Sequence, residues 1–222
     1  MKLTEELREF ALSKGVADIG FCRLDGGEES MKSAVSVVVR LSDAVIDEIT
    51  DAPTHTYFHH YRTVNAFIDK TLLEIGMFLQ SKGYRYIPVA ASQSINSGGW
   101  NYAGRISHKK IACLSGLGTV GRNSLFLHRD FGARVRLGTL LCDCDFECEN
   151  AEPVSPCNGC RLCVEACPAK AIRGGQWHCG TERDEIFDPA ACSEYMKKQF
   201  QHIGRGSVCG ICIKVCPQGQ LK

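Results

Sequence analysis

A chain of 222 residues with 44% hydrophobic content is long enough to bury an ordinary core and to append a smaller unit to it. Its formal charge of +1 removes any global electrostatic case for nucleic acid, and no apolar run approaches the roughly 18 residues that a membrane span needs. The outlier is the 14 cysteines, which, with no secretory leader at the start, suggest metal ligation in a reducing compartment and hence a cytoplasmic protein.

In chain order, residues 2–14 place Leu3, Leu7, Phe10 and Ala11 on one helical face, with Gly15 as a stop. Residues 16–24 and 34–41 read as strands separated by a polar turn over 25–30, the second Val-rich and suited to burial on both faces. Residues 55–82 carry a long helical pattern in Tyr57, Tyr61, Val64, Phe67, Ile68, Ile75, Phe78 and Leu79, closed by Gly83. A strand over 84–91 and a helix over 108–115 follow. Residues 124–128 and 133–141, flanking 129–132, read as a hairpin. The expected fold is therefore an α/β (α+β) domain over residues 1–149, followed from a Pro-containing polar linker at 150–156 by a small ferredoxin-like domain over 150–222.

Three features of the larger domain could carry chemistry. No acid occurs between Ile75 and Arg129, a span that holds Lys82, Arg85, Arg105, Lys109, Lys110, Arg122 and Arg129. It therefore suits an anionic ligand, unless acids elsewhere in the fold are its partners. Gly116, Gly118 and Gly121 match G-x-G-x-x-G, but a helical segment precedes them where a dinucleotide site wants a strand. The loop is better suited to close approach to a cofactor or a neighbouring backbone. His55 and His59 lie one helical turn apart, beside His60, without an evident third metal ligand. The thiols of Cys142, Cys144 and Cys148, with Cys179, are either a zinc-like site or reduced structural cysteines, and the latter is the expectation.

The strongest signal is at the end of the chain. Cys157, Cys160, Cys163, Cys167 and Pro168 form the run C-x2-C-x2-C-x3-C-P, in which three sulfurs turn toward one [4Fe-4S] cluster and the fourth reaches a second. Cys209, Cys212, Cys216 and Pro217 repeat the last three cysteines and the proline. Gly206 stands where the first cysteine of the repeat would be, so one ligand is borrowed, with Cys192 the nearest candidate and Cys179 its rival. The expected pairing is Cys157, Cys160, Cys163 and Cys216 on one cluster, and Cys167, Cys192, Cys209 and Cys212 on the other. Paired C-x2-C motifs for zinc do not have this spacing.

The twin-cluster tail, the segment from Gly116 through Gly118, Gly121, Arg122 and Asn123 to Ser124, and the stretch from Asp188 through Cys192 to Tyr195 together resemble the epoxyqueuosine reductase family, which is related to the corrinoid reductive dehalogenases. The resemblance agrees with Cys192 as the borrowed ligand. It implies cobalamin beside the cluster domain, fed by single electrons, with Gly118, Gly121 and Asn123 against the corrin and Arg105, Lys109 and Arg122 meeting its phosphate or amide groups. Members of that family have an aspartate shortly before the position of His108. Here the neighbourhood offers Asn101 and Tyr102, so Tyr102 is the expected proton donor, with His108 second. The chain ends five residues after Pro217, without the helical-repeat extension of tRNA-modifying members. The expected activity is thus an iron-sulfur oxidoreductase on a small-molecule or corrinoid substrate, served by a ferredoxin- or flavodoxin-type donor. The alternatives are an electron-transfer protein serving a redox or corrinoid partner, and an epoxyqueuosine reductase acting on tRNA.

Overall fold

The computed structural model describes residues 2–24, 30–95, 99, 102–148, 150–151, 153–178, 180–204 and 208–220. Most of the expected turn at 25–30, together with Asn101, Cys179 and Gly206, lies outside the described residues.

Burial on both sides explains the apolar composition of β2 (Ser33–Arg40), whose first seven residues are all buried. It pairs antiparallel with β1 (Asp18–Arg23) in a sheet of order β1-β2-β6-β3, where β6 is Val135–Cys142 and β3 is Tyr86–Val89. β3 pairs antiparallel with β6, with Ile87 opposite Leu141 and Val89 opposite Thr139. Helices cover both faces. The 27-residue α3 (His55–Ser81) lays Ile68 and Leu72 onto Gly138 of β6, where a side chain would collide with them. Gly76 in the same helix makes the slot that the Tyr86 ring occupies. On the opposite face, Ile111 of α4 (His108–Leu114) packs with Cys22, Ala34, Val89 and Leu141. Strand alternation accounts for the division, since Gly138 and Leu141 point to opposite sides of β6. α1 (Leu3–Ser13) packs on β1 and ends at Lys14 and Gly15, the latter at φ +96°.

The chain separates into two compact units along several cuts. One unit is Met1–Arg40, Val64–Leu117 and Arg136–Glu152; the other is Leu41–Thr63, Gly118–Val135 and Pro153–Lys222. The hairpin expected between residues 124–128 and 133–141 does not form. β5 (Phe126–His128) pairs with β4 (Gly118–Val120), and β6 joins the four-stranded sheet. The local pattern correctly marks a turn, since His128 and Gly132 exchange two backbone hydrogen bonds of 2.9 Å. Strand partners, however, are chosen by burial. The Gly-rich segment is itself a strand, and its Gly118 leaves room for the Leu127 carbonyl.

In the second unit, α2 (Asp43–Asp47), which the periodicity does not reveal, carries two carboxylates to the buried guanidinium of Arg134, each at 2.9 Å. Lys214 of α8 (Ile211–Lys214) shares Asp47 at 2.7 Å. Gly132 (φ +51°) and Gly219 (φ +83°) bring the turn after β5 against the segment that follows Cys216, each fitting where the other strand's carbonyl leaves no room for a Cβ.

Gly132→Ala combines left-handed backbone strain with a backbone collision, and an expected cost of about 2 to 4 kcal/mol follows. Thermal unfolding of the anaerobically purified protein should show the midpoint falling by roughly 5 to 10 °C. An unchanged midpoint would mean that the two glycine turns do not meet.

Candidate metal centre

The cysteine runs fold as loops closed by single helical turns, α5 (Leu162–Ala166) within the first and α8 within the second. The thiol of Cys163 faces those of Cys157 and Cys160, and the thiol of Cys216 faces all three. These four residues line a pocket of about 360 Å³, part of it open to solvent, with Arg122, Asn123, Pro156, Pro217 and Gln218. The second group is assembled by α7 (Pro189–Phe200). Asp188 caps that helix by accepting from Ala191 N at 3.0 Å, with Pro189 at its first position, which sets Cys192 on the first turn. There Cys192 faces Cys209 and Cys167, and Cys212 faces Cys209, Cys192 and Cys167. Cys212 also faces Cys163, so the two groups adjoin at that pair. Ala171, Ile172, Phe187, Ala191 and Val215 pack around both.

Burial pushes the thiols upward: Cys216 to about 11, Cys192 to about 12 and Cys212 well above its ordinary value, with neighbouring sulfurs adding to the effect. Sulfurs that resist ionisation alone, yet are gathered in fours, need a multiply positive core to hold them as thiolates. A single zinc ion would draw its ligands to within roughly 4 Å of one another, as its 2.3 Å bonds require. Among the described residues no three His, Cys, Asp or Glu side chains converge in that way. The sulfurs of Cys157, Cys160, Cys163 and Cys216 line a pocket, and the donor set of the two groups fits [4Fe-4S].

The Gly-rich loop is fastened onto this centre. The Arg122 N–H donates to Cys157 Sγ at 3.4 Å, its guanidinium donates to the carbonyl oxygens of Cys157 (3.1 Å) and Gly174, and Asn123 Nδ2 donates to Cys212 O at 3.3 Å. Gly121 accommodates Leu127, as Gly118 does. Four of the six residues that the resemblance assigns to a corrin thus turn to β5 and to the cysteine loops. Arg105 and Lys109 are part-buried in the other unit.

His108 and Tyr102 belong to the first unit. His108 Nε2 meets the Ala90 carbonyl at 3.1 Å, which can only accept, so Nε2 carries the proton and Nδ1 accepts from the Thr139 hydroxyl at 2.8 Å. Both nitrogens are engaged within the fold, and burial lowers the His108 pKa. Tyr102 is half-buried in the left-handed region at φ +54°, a conformation that a non-glycine residue holds only under constraint. An acid does reach this neighbourhood from outside the acid-free span. Asp69 of α3 accepts from Ala91 N at 2.8 Å and acts on His108, as does Arg136, which donates to Asn65 Oδ1 at 2.7 and 3.0 Å. No local spacing announces Asp69, because only the packing of α3 beside β3 brings it there.

The acid-free span is partly neutralised from elsewhere: Lys82 pairs with Glu6, and Arg129 with Asp130 at 3.6 Å. His60 Nε2 accepts from Ser42 N at 3.1 Å, and His59 meets Thr63 at 3.5 Å, so these histidines serve the local fold. Among the described residues the zinc-like site does not assemble. Cys142 bonds Cys144, whereas Cys148 lies near Cys22 instead.

Residues 156–219 match a 4Fe-4S double cluster binding domain. The chain is similar to an epoxyqueuosine reductase of Cyclobacterium marinum, with 29% identity over half of this chain and 36% of the relative. The fold matches that of an epoxyqueuosine reductase crystallised with an epoxyqueuosine-modified tRNA stem loop (TM-score 0.65, 20% identity, 98% of this chain and 65% of the other). It also matches a reductive dehalogenase associated with B12-dependent dehalogenation (TM-score 0.71, 18% identity, 98% and 32%). The chain thus spans about a third of the length of that curated relative. Among the described residues no helix is long and apolar enough to cross a membrane.

Because His108 is held neutral, its contribution to stability is present above its unfolded value of 6.5 and is lost as pH falls below that value. Unfolding midpoints measured between pH 7.5 and 5 should therefore fall with acidification, and His108→Gln should fall less steeply. Parallel curves would show that the imidazole is not buried neutral.

Proposed function

We propose that the chain is an iron-sulfur oxidoreductase similar to epoxyqueuosine reductase. Its 150–222 domain holds one [4Fe-4S] cluster on Cys157, Cys160, Cys163 and Cys216 and another on Cys167, Cys192, Cys209 and Cys212. The observation that carries the reading is that the two groups of four sulfurs adjoin at Cys163 and Cys212, as a relay for single electrons requires. The described cysteines are free thiols, which suits a reducing cytoplasm and oxygen-sensitive clusters.

Cobalamin is the proposed electron acceptor, by resemblance to relatives; when bound it would supply a low-valent cobalt nucleophile. Arg105 and Lys109 of the 1–149 domain are proposed to hold its polar substituents, and Tyr102 to donate a proton to the product. His108 is better suited to positioning, because its one N–H is already given to Ala90 O. A small-molecule or corrinoid substrate is proposed in preference to tRNA. Of the basic residues in the acid-free span, Lys82 and Arg129 have acidic partners and Arg122 is buried, leaving fewer cations for a polyanion. The proposed donor is of ferredoxin or flavodoxin type.

Protein purified without oxygen should contain about eight irons per chain, and Cys192→Ala about four, whereas Cys179→Ala should retain all of them. The reverse behaviour of the two variants would transfer the borrowed ligand to Cys179; colourless or zinc-loaded protein would sink the redox reading. Titration with cob(II)alamin should shift the corrin absorption bands. An unchanged corrin spectrum in a protein holding both clusters would favour an electron carrier for a separate partner.

A further inference from the structure

Arg122 does more than fasten a loop. The residue is 91% buried, it lines the pocket of Cys157, Cys160, Cys163 and Cys216, and its Nε has no partner among the described residues. A buried N–H without an acceptor costs about 1 to 3 kcal/mol, so in a pocket made to hold sulfide and thiolate it points to an acceptor there. The main-chain N–H of the same residue already donates to Cys157 Sγ at 3.4 Å. The guanidinium is anchored on the carbonyl oxygens of Cys157 and Gly174, so it cannot swing out to solvent without abandoning two hydrogen bonds.

The other group of cysteines has the opposite environment. Cys192 follows the capping Asp188, whose backbone carbonyl accepts from the Cys192 N–H at 3.2 Å and whose carboxylate is only loosely paired with Arg173 at 3.6 Å. From the Gly-rich loop that group receives only the neutral amide of Asn123, which lines the Cys157 pocket and donates to the Cys212 carbonyl. Reduction adds one negative charge to a cluster. A cation and N–H donors favour the reduced state, and an adjacent carboxylate opposes it.

We propose that Arg122 sets the reduction potential of the cluster bound by Cys157, Cys160, Cys163 and Cys216, making it the higher-potential member of the pair. The inference rests on the two-cluster reading above and adds an order to it: an electron shared between the clusters rests on the one beside Arg122. The reaction is a one-electron reduction of each cluster from the 2+ to the 1+ state, with no proton taken up. The donor in the test is dithionite.

The test is a dithionite titration of the whole chain followed by electron paramagnetic resonance, with Cys192→Ala identifying the signal of the Cys157 cluster. In the wild-type protein that signal should appear first. In R122M its reduced-to-oxidised ratio at a given potential should fall about tenfold, a shift of 59 mV to the negative, while the second signal stays in place. R122Q, which keeps donors but loses the charge, should fall between R122M and wild type, and R122K should lie nearest wild type. An unmoved midpoint in R122M or R122Q with full iron, or a wild-type protein in which the Cys157 cluster is reduced second, would overturn the assignment. Loss of that cluster from both R122M and R122Q, with full iron in R122K, would make Arg122 a strut and equally overturn it. Wild-type protein that never reaches about eight irons instead removes the underlying two-cluster reading.

Discussion

The second unit is governed by the cost of gathering ionisable sulfur away from water. Eight thiols in two adjoining groups, several with their ionisation suppressed by burial and by one another, have no reason to be there unless something positive lies between them. The surrounding architecture follows from that need. Helices of four and five residues are too short to be stable alone, yet they close the cysteine loops, and the N-cap of α7 sets Cys192 beside Cys209 and Cys167. Amide hydrogens are supplied to sulfur from outside the runs as well as within them, by Arg122 to Cys157 and by Gln218 to Cys216.

The ligand runs are legible in the sequence because cluster binding is local: two-residue gaps and a terminal proline are set by the geometry of one loop. Helices with a strong apolar period are legible for a similar reason, as α1 and α3 show, and so is the doubly buried β2. Strand pairing is not local. Residues 124–128 and 133–141 look like a hairpin because the turn between them is real, but β5 is claimed by β4 and β6 by the large sheet. The glycines of residues 116–121 resemble a nucleotide loop at the level of spacing. The space beside Gly118 and Gly121 is taken by the Leu127 backbone and side chain, which no spacing could reveal.

Polar sites are the least legible, because their partners come from distant segments. Asp43 and Asp47 are unremarkable in sequence until Arg134, 87 residues after Asp47, is found buried between them. The absence of acid between Ile75 and Arg129 is real in the sequence but misleading in space, since Asp69 and Glu6 reach the same region from outside the span. His108 shows the reverse. The family resemblance makes it the second candidate for proton donor after Tyr102, whereas the Ala90 carbonyl and the Thr139 hydroxyl fix its tautomer and employ both nitrogens. Each of these side chains acquires its role from what the fold sets beside it.

An imperfect repeat also has a physical consequence. Two identical cysteine runs would place two clusters in equivalent surroundings, and an electron would have no preferred seat. Gly206 in place of a cysteine breaks that equivalence, because on the proposed pairing the missing ligand comes from a helix whose cap is the carboxylate of Asp188. The Gly-rich loop breaks it again: Arg122 and Asn123 both line the pocket of the Cys157 group, and the Cys212 carbonyl of the other group receives only the neutral amide of Asn123. Opposite charges beside chemically similar clusters produce a difference in potential without any change in the ligating atoms. On the proposed two-cluster reading, the imperfect repeat therefore opens a route to directional electron flow.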